Sequence, residues 1–375
     1  MSLCPNKERC GSCSLSDQPY PEQLELKLSQ INAALGQSLP ELHCDEILPS
    51  PKTEHYRNRM DFAIDFEGRF GLKEKGKWWK VIDGHKCILS DERIEEIFDQ
   101  VHAWLPQSGL SFFCRKKHRG LLRYAVIRKA LRGNAMLVII TSAPEDQSEE
   151  TQLLDALAGL NENISGAELV WGINRTISDT SNADLYRSLS PHDYIEECIN
   201  GSRYHISPGS FFQTNSHGAE LLQRTVLEYC GELSGKRVLD LYCGNGFFTI
   251  PLSKTAAECT GVELVQAAID DARRNGALNH SSANFLCAGT ENSGWEALKP
   301  DLLVVDPPRA GLHPKALQQI VQARPKMLIY VSCNFKRFAE ELKQLAPHYE
   351  VLDLRAIDLF PHTPHVELVA KLGRR

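Results

Sequence analysis

The sequence predicts an α/β protein in which a doubly wound, mostly parallel sheet follows an α+β module and a short cysteine-bearing segment. From about residue 205 onward, strand-like and helix-like runs alternate to the last residues. Between about residues 55 and 190, short strand-like runs alternate with turns and one or two helices. The first 20 residues carry three cysteines and few hydrophobic side chains. We therefore expect this segment to depend on a bound ligand rather than on a core of its own.

The size and charge of the chain restrict its function class. Its 375 residues suffice for two or three domains with their own cores. No apolar run reaches the length of a membrane span and the amino terminus lacks a secretory signal, so we expect a cytoplasmic protein without a membrane partner or an obligate protein partner. The formal charge is −6, yet residues 51–132 hold 18 Lys and Arg against 11 Asp and Glu. This basic stretch predicts a module that contacts nucleic acid.

The cysteines indicate a metal site rather than disulfides. The chain has twelve, and cytoplasmic thiols stay reduced. Three of them form the pattern C-x5-C-x2-C at Cys4, Cys10 and Cys13, and thiolates on short loops bind zinc or iron–sulfur clusters. A fourth ligand is needed, and Cys87 is the best candidate because it follows the turn at Asp83-Gly84. Cys44 and Cys114 compete for this role, and zinc remains an alternative at this point.

The remaining chain is divided by its patterns. A helix is predicted where apolar residues recur at helical spacing before Gly36, namely at Leu24, Leu28, Ile31 and Leu35. We expect four regions: a cysteine-bearing region at 1–20 and around 83–90, a helical segment at 21–50 that packs on the carboxyl-terminal domain, a central α+β module at 51–200, and the carboxyl-terminal domain at 201–375.

The carboxyl-terminal domain carries a nucleoside-binding pattern. Val238 to Leu241 is predicted as its first strand, and Gly244 and Gly246 let the following turn approach a ligand closely. Glu263 ends the second strand 19 residues after Gly244, the spacing at which an acid binds ribose hydroxyls. The third glycine of a dinucleotide fingerprint is missing, so a nucleoside fits better than NAD. We interpret the domain as an S-adenosylmethionine-dependent methyltransferase with a Rossmann-like sheet.

Reactive side chains are predicted at the carboxyl edge of the same sheet. The strand Leu302–Val305 runs into Asp306-Pro307-Pro308, where two prolines force an extended turn and present Asp306 at the edge. Cys333 follows the apolar run Lys326–Val331 and has the position of a nucleophile. Glu367 enters the last strand, which in this fold class runs antiparallel. We expect its carboxylate to face Cys333 as a general base.

Five motifs in this order resemble the RNA uracil-C5 methyltransferase family over nearly the whole chain. They are FFQTN at 211–215, DLYCGNG at 240–246, DPPRAGL at 306–312, SCN at 332–334 and HVEL at 365–368. The resemblance implies a class I methyltransferase domain that binds S-adenosylmethionine through Gln213, Tyr242, Glu263 and Asp306, besides the Gly244 turn. It also implies Cys333 as nucleophile and Glu367 as base. Phe247 departs from an asparagine common in some members, so no cofactor contact is expected there.

The resemblance extends to the cysteines and to the substrate. The set Cys4, Cys10, Cys13 and Cys87 resembles the [4Fe-4S] site of members that act on ribosomal RNA. It implies such a cluster in place of zinc, with a uracil of 23S ribosomal RNA as substrate and 5-methyluridine as product. The alternatives are a uracil of transfer RNA or of another ribosomal site, or a cluster-bearing RNA-binding protein that has lost catalysis.

The RNA contacts are predicted from a basic run. Eight Lys and Arg fall within the 18 residues from Arg115 to Arg132. Such a run suits phosphate contacts, and we assign RNA binding there to Arg119, Arg123 and Arg128. Arg309, which follows the proline turn, is also assigned to RNA binding, and we expect either Arg309 or backbone groups to donate to the uracil carbonyl.

Overall fold

The computed structural model describes residues 4–375; residues 1–3, at the start of the predicted cysteine-bearing region, lie outside the described residues. The helices are α1 (Lys7–Cys10), α2 (Tyr20–Gly36), α3 (Glu92–Trp104), α4 (Gln147–Asn163), α5 (Ser216–Cys230), α6 (Thr249–Ser253), α7 (Gln266–Leu278), α8 (Pro314–Ala323) and α9 (Phe335–Leu345). The strands are β1 (Ile47–Leu48), β2 (Arg59–Ile64), β3 (Phe70–Glu74), β4 (Lys77–Asp83), β5 (Leu122–Lys129), β6 (Ala135–Thr141), β7 (Ala167–Ile173), β8 (Leu185–Ser188), β9 (Ile195–Ile199), β10 (Ser202–Ile206), β11 (Arg237–Leu241), β12 (Glu258–Glu263), β13 (Asn284–Cys287), β14 (Leu302–Val305), β15 (Met327–Ser332), β16 (Tyr349–Ile357) and β17 (Glu367–Arg374).

The chain divides into two compact units. The first comprises the chain up to Asp17, Glu54–Cys198 and His205–Gly209. The second comprises Gln18–Thr53, Ile199–Tyr204 and Ser210–Arg375. Helix α2 therefore belongs to the second unit, although the first unit includes segments that precede and follow it in the sequence.

The second unit is built on a sheet with the strand order β1-β16-β17-β15-β14-β11-β12-β13. Strands β15, β14, β11, β12 and β13 are parallel neighbours, and β17 is antiparallel to both β15 and β16. The central strands are apolar on both faces, since every residue of Leu302–Val305 is buried. The predicted Rossmann-like sheet with an antiparallel last strand is confirmed.

Helix α2 packs on this sheet unit through α9. Ile31 and Leu35 are fully buried and share a hydrophobic core with Phe338 and Leu342 of α9. The helix ends at Gly36, as the spacing of its apolar residues predicts. Its buried face also contains two polar residues, Gln23 and Lys27.

The first unit holds a mixed sheet with the order β4-β3-β2-β5-β6-β7-β8. Its pairs are antiparallel except for β6 and β7, which are parallel and connected through α4. Phe62, Phe70 and Phe98 pack under one face of the sheet, with ring centroids 4.5–5.5 Å apart. This is an α+β arrangement. Across the part of the chain that is described, no helix combines the length and the apolar composition needed to cross a bilayer.

Candidate active site

The predicted nucleophile lies in the turn between β15 and α9. Cys333 is half-buried directly after β15, and the next residue, Asn334, caps α9 by accepting from the Arg337 backbone N–H at 3.3 Å. The thiol lines a cleft of about 430 Å³ in the second unit, together with Gln30, Arg309, Asn334, Lys336 and His365. The pKa of the Cys333 thiol is raised to about 11, chiefly by burial; the carboxylates of Glu367 and Asp306 contribute to the rise, and the charge of Arg309 opposes it.

The predicted base is the first residue of the antiparallel strand β17. Ser332 pairs with Leu368 across β15 and β17, so the adjacent Cys333 and Glu367 meet at the same edge. Glu367 is 5% exposed. The pKa of its carboxyl is raised to about 8, chiefly by burial with a contribution from Asp306, and Arg309 opposes the rise. A carboxyl with this pKa can exchange a proton near neutral pH.

The proline turn after β14 supplies two charged residues, Asp306 and Arg309, that act on both Cys333 and Glu367. The half-buried Asp306 donates its backbone N–H to the Leu241 carbonyl at 3.3 Å, and burial raises the pKa of its carboxyl to about 7. The exposed Arg309 is fixed at two points. Its carbonyl accepts from Asn334 Nδ2 at 3.0 Å, and its Nη2 donates to His365 Nδ1 at 2.7 Å.

Asn334 and His365 were not predicted as site residues. Both belong to the motifs that contain the nucleophile and the base, so their position next to Cys333 and Glu367 in sequence was the available signal. Their shared contact with Arg309 could not be predicted from the sequence, because the three residues lie in three different loops.

The glycine-rich turn after β11 forms a cradle beside this edge. Gly244 has a φ of +54° with open space where a Cβ would lie. Its N–H donates to Glu263 Oε2 at 3.3 Å, and the Val265 N–H donates to Glu263 Oε1 at 2.9 Å. The Tyr242 hydroxyl accepts from the His313 N–H at 3.3 Å, which fixes its ring at the start of α8.

The other cofactor candidate, Gln213, is 9% exposed and lies two residues before Asn215, which caps α5 by accepting from Gly218 N–H at 2.9 Å. Open space at Gly244, a fixed acid on β12 and buried acids at the sheet edge fit a nucleoside that carries positive charge, as S-adenosylmethionine does. Phe247 serves packing instead, with its ring centroid 5.7 Å from that of Phe212.

The four predicted metal ligands lie near one another in the first unit. Cys4, Cys13 and Cys87 are buried and Cys10 is half-buried. Cys13 donates a hydrogen bond to Cys87, which lowers the pKa of Cys87 and raises that of Cys13. Burial raises the pKa of Cys4, and the charges of Cys87 and Cys10 raise it further.

Their arrangement does not by itself define a metal centre. Among residues 4–375, no group of three or more His, Cys, Asp or Glu side chains is arranged to hold a metal ion, so the predicted cluster is not confirmed. The competing Cys44 belongs to the second unit and donates to the Glu46 carbonyl at 3.3 Å. Cys114 forms a β-bridge with Arg119.

The predicted RNA-binding arginines of the first unit are of two kinds. Arg119 is exposed, whereas Arg123 and Arg128 are only 3% and 5% exposed. Arg123 donates to the carbonyls of Asn174 at 3.2 Å and Thr176 at 2.7 Å, and to that of Ser178. The expectation that Arg123 and Arg128 contact RNA is therefore corrected. Both lie on β5, an interior strand, and their buried side chains contribute to the packing and hydrogen bonding of the module.

The chain resembles known RNA methyltransferases along its length. The sequence model of the tRNA (uracil-5-)-methyltransferase family matches residues 182–288 and 295–375. An uncharacterized RNA methyltransferase of Caldanaerobacter subterraneus subsp. tengcongensis is 36% identical over 381 residues, which cover 100% of this chain and 85% of that protein. The tRNA (uracil(54)-C(5))-methyltransferase of Pyrococcus horikoshii is 36% identical over 97% of this chain and 84% of its own.

A solved structure agrees with the sequence comparisons. The crystal structure of Pyrococcus abyssi tRNA (uracil-54, C5)-methyltransferase in complex with S-adenosyl-L-homocysteine superposes with a TM-score of 0.82 at 34% identity. The match covers 97% of this chain and 86% of that one.

Proposed function

This chain belongs to the RNA uracil-C5 methyltransferase family, and we propose that it methylates C5 of a uracil with Cys333 as nucleophile and Glu367 as base. The observation that carries the proposal is the adjacency of the two residues at the ends of β15 and β17. A thiol and a buried carboxyl at one sheet edge are the two groups that this reaction requires.

The chemistry follows from the weak nucleophilicity of uracil C5. Addition of the Cys333 thiolate to C6 forms a C–S bond and moves the C5–C6 electron pair toward the carbonyl, which makes C5 electron-rich. S-adenosylmethionine, when bound, would supply the methyl group to C5: a C5–methyl bond would form, the bond between the methyl group and the positively charged sulfur would break, and S-adenosylhomocysteine would leave. Glu367 then takes the C5 proton, the C5–C6 double bond re-forms, and the thiolate leaves.

Arg309 has an electrostatic role in both steps. Its guanidinium lowers the pKa of Cys333 and of Glu367, both of which are raised by burial. It therefore favours the thiolate before addition and the carboxylate before proton removal. From its place in the cleft it can also donate to the enolate oxygen of the uracil, as predicted from its position after the proline turn.

The cofactor residues keep their predicted roles as proposals. Gln213, Tyr242, Gly244, Glu263 and Asp306 would hold S-adenosylmethionine. The support is the open space at Gly244 and the acid of β12 beside it.

The four cysteines are proposed to hold a [4Fe-4S] cluster. Cys4, Cys13 and Cys87 are buried and act on one another electrostatically, and Cys10 acts on Cys4. A cluster of four irons is wider than a single ion, so its ligands need not converge as tightly as those of zinc. Its role would be structural: the Lys75 N–H donates to the Arg9 carbonyl at 2.7 Å, which joins α1 to the β3–β4 hairpin.

The substrate has two candidates. A uracil of 23S ribosomal RNA is the candidate from the four-cysteine pattern. A uracil of transfer RNA is favoured by a different observation, because the Pyrococcus horikoshii relative, 36% identical, is named for uracil 54 of transfer RNA. In both cases Arg119 is the exposed arginine proposed to contact the RNA, and the reaction would take place in the cytoplasm.

One experiment tests the reaction and its target together. The purified protein is incubated with methyl-labelled S-adenosylmethionine and either unmodified 23S ribosomal RNA or unmodified transfer RNA, and 5-methyluridine is mapped by mass spectrometry. Label at C5 of one uracil identifies the substrate. Absence of 5-methyluridine from both RNAs, with the parent protein binding S-adenosylmethionine, would leave the proposed reaction without support and favour an RNA-binding protein.

A further inference from the structure

Helix α2 is tied to the segment 358–362, which leads into the strand of the proposed base. The Gln23 side chain is fully buried, and its Oε1 accepts from the His362 N–H at 2.8 Å. Its Nε2 lies 3.1 Å from His362 Nδ1. One amide side chain therefore bonds both the backbone and the ring of His362. This residue has a φ of +66°, a conformation that side chains disfavour and that external bonds must hold.

A second tie lies one helical turn further along α2. Lys27, 1% exposed, donates to Asp358 Oδ1 at 2.7 Å and to the Phe360 carbonyl at 3.2 Å. Asp358 is fully buried and also accepts from the Phe360 N–H at 3.1 Å. A buried ion pair is weak support for stability, because apolar residues of similar volume often do as well or better. Its use at this point is better explained by the fixed geometry that it gives to the segment.

We propose that Gln23 and Lys27 are positioning residues that hold the 358–362 segment so that Glu367 reaches the C5 proton. The inference rests on the proposed function. Glu367 follows His362 by five positions: His362 lies in the connection between β16 and β17, and Glu367 lies at its end. Gln23 and Lys27 face this connection as an i, i+4 pair on one side of α2.

The proposal separates two parts of the reaction. Cys333 lies between β15 and α9, and neither element contains the 358–362 segment. Addition to C6 and methyl transfer should therefore survive a displaced segment. Proton removal should not, because a general base must be within hydrogen-bond reach of its proton and a shift of about 1 Å can cost about a hundredfold in rate.

The test is Gln23→Met, which keeps the side-chain length but removes both bonds to His362. We expect turnover to fall by about tenfold or more while the first methyl transfer persists, so that a covalent protein–RNA adduct accumulates on a denaturing gel. Gln23→Glu retains an acceptor for the His362 N–H and should restore part of the turnover.

The matched control is Ile31→Ala on the same helix, whose side chain faces the hydrophobic core instead of the segment. A core truncation lowers stability without moving the base, so it should give no adduct. If Gln23→Met does not fold, the double variant Lys27→Met with Asp358→Asn serves the same purpose, since it removes both buried charges together and should also accumulate adduct.

Two results would overturn the inference. One is that Gln23→Met turns over as fast as the parent protein. The other is that Gln23→Met loses turnover without accumulating the covalent adduct, as expected for the core variant Ile31→Ala. Glu367→Gln, run on the same gel, separates this failure from a failure of the proposed function: if Glu367→Gln accumulates adduct and Gln23→Met does not, the base assignment stands and the positioning role is wrong.

Discussion

Cys333 and Glu367 lie side by side because β17 runs antiparallel to β15, with Ser332 paired to Leu368. The antiparallel direction places the first residue of β17 at the edge where β15 ends. The carboxylate of Glu367 raises the pKa of the Cys333 thiol, and Arg309 lowers the pKa of both groups. Cys333, Glu367 and Arg309 are therefore a coupled set of groups, and their protonation decides when the proposed reaction can begin.

The buried carboxyl of Glu367, the proposed base, should make the protein less stable as the pH rises. Burial raises the pKa of Glu367 from 4.5 in its ordinary state to about 8, so the folded protein holds a proton that the unfolded chain loses. The free energy of unfolding then falls between pH 5 and 8, by at most about 1.4 kcal/mol per pH unit for this group. The Gln side chain of Glu367→Gln cannot ionise, so the free energy of unfolding of this variant relative to the parent should increase as the pH rises.

Urea unfolding at pH 5 and pH 8 measures this difference, and Glu340→Gln, at an exposed position, is the control. Equal gains at both pH values would contradict the prediction.

Arg309 should activate the thiol of the free protein. Without its charge the pKa of Cys333 rises further above 11, and each half unit slows alkylation at pH 8 by about threefold. Arg309→Leu should therefore slow the reaction of Cys333 with iodoacetamide, followed on the Cys333 peptide by mass spectrometry. Lys336→Leu removes a positive charge from the same cleft and should have a smaller effect. If Arg309→Leu and Lys336→Leu slow the alkylation of Cys333 equally, Arg309 does not lower the pKa of the thiol more than another positive charge of the cleft does.

The proposed cluster predicts a specific set of cysteines. Protein purified without oxygen should be brown and contain about four irons, and Cys87→Ser should lose most of the iron and part of the stability. Cys44→Ser is the matched control, since it also removes a buried thiol but from the second unit. Stoichiometric zinc without iron, or equal iron in both variants, would disprove the assignment.

The basic run should separate into binding and structural arginines. Arg119→Ala should weaken RNA binding and reduce the slope of log binding constant against log salt concentration by about one. Its stability should change little because Arg119 is exposed. Arg123→Ala should instead lower the free energy of unfolding, since three carbonyls lose their donor. Filter binding across salt concentrations and urea unfolding test the pair. An unchanged salt slope for Arg119→Ala would assign the whole run to structure.

The sequence predicted best where burial alone decides the structure. The strand Leu302–Val305 was placed correctly because its apolar residues have no alternative to a covered sheet. Strand β16 was missed: charged residues such as Glu350 and Asp353 interrupt its apolar pattern, and an irregularity lies between Val351 and Asp353.

Polar residues inside the fold could not be predicted from periodicity. The apolar spacing of α2 pointed to Leu24 and Leu28, yet the fully covered positions of that turn are Gln23 and Lys27. Their partners come from a loop more than 300 residues later in the chain. Arg123 was misassigned for the same reason, since its carbonyl partners follow β7 and only the folded module brings them together.

The most direct test of the account compares Cys333→Ser with Glu367→Gln on RNA that the parent protein methylates. With S-adenosylmethionine present, Glu367→Gln should transfer a methyl group but fail to release the C5 proton, so a slow-migrating protein–RNA band should accumulate on a denaturing gel. Cys333→Ser should give neither the band nor 5-methyluridine, because a hydroxyl is a far weaker nucleophile than a thiolate at neutral pH. Normal turnover by Glu367→Gln, or a covalent band with Cys333→Ser, would contradict the central claim.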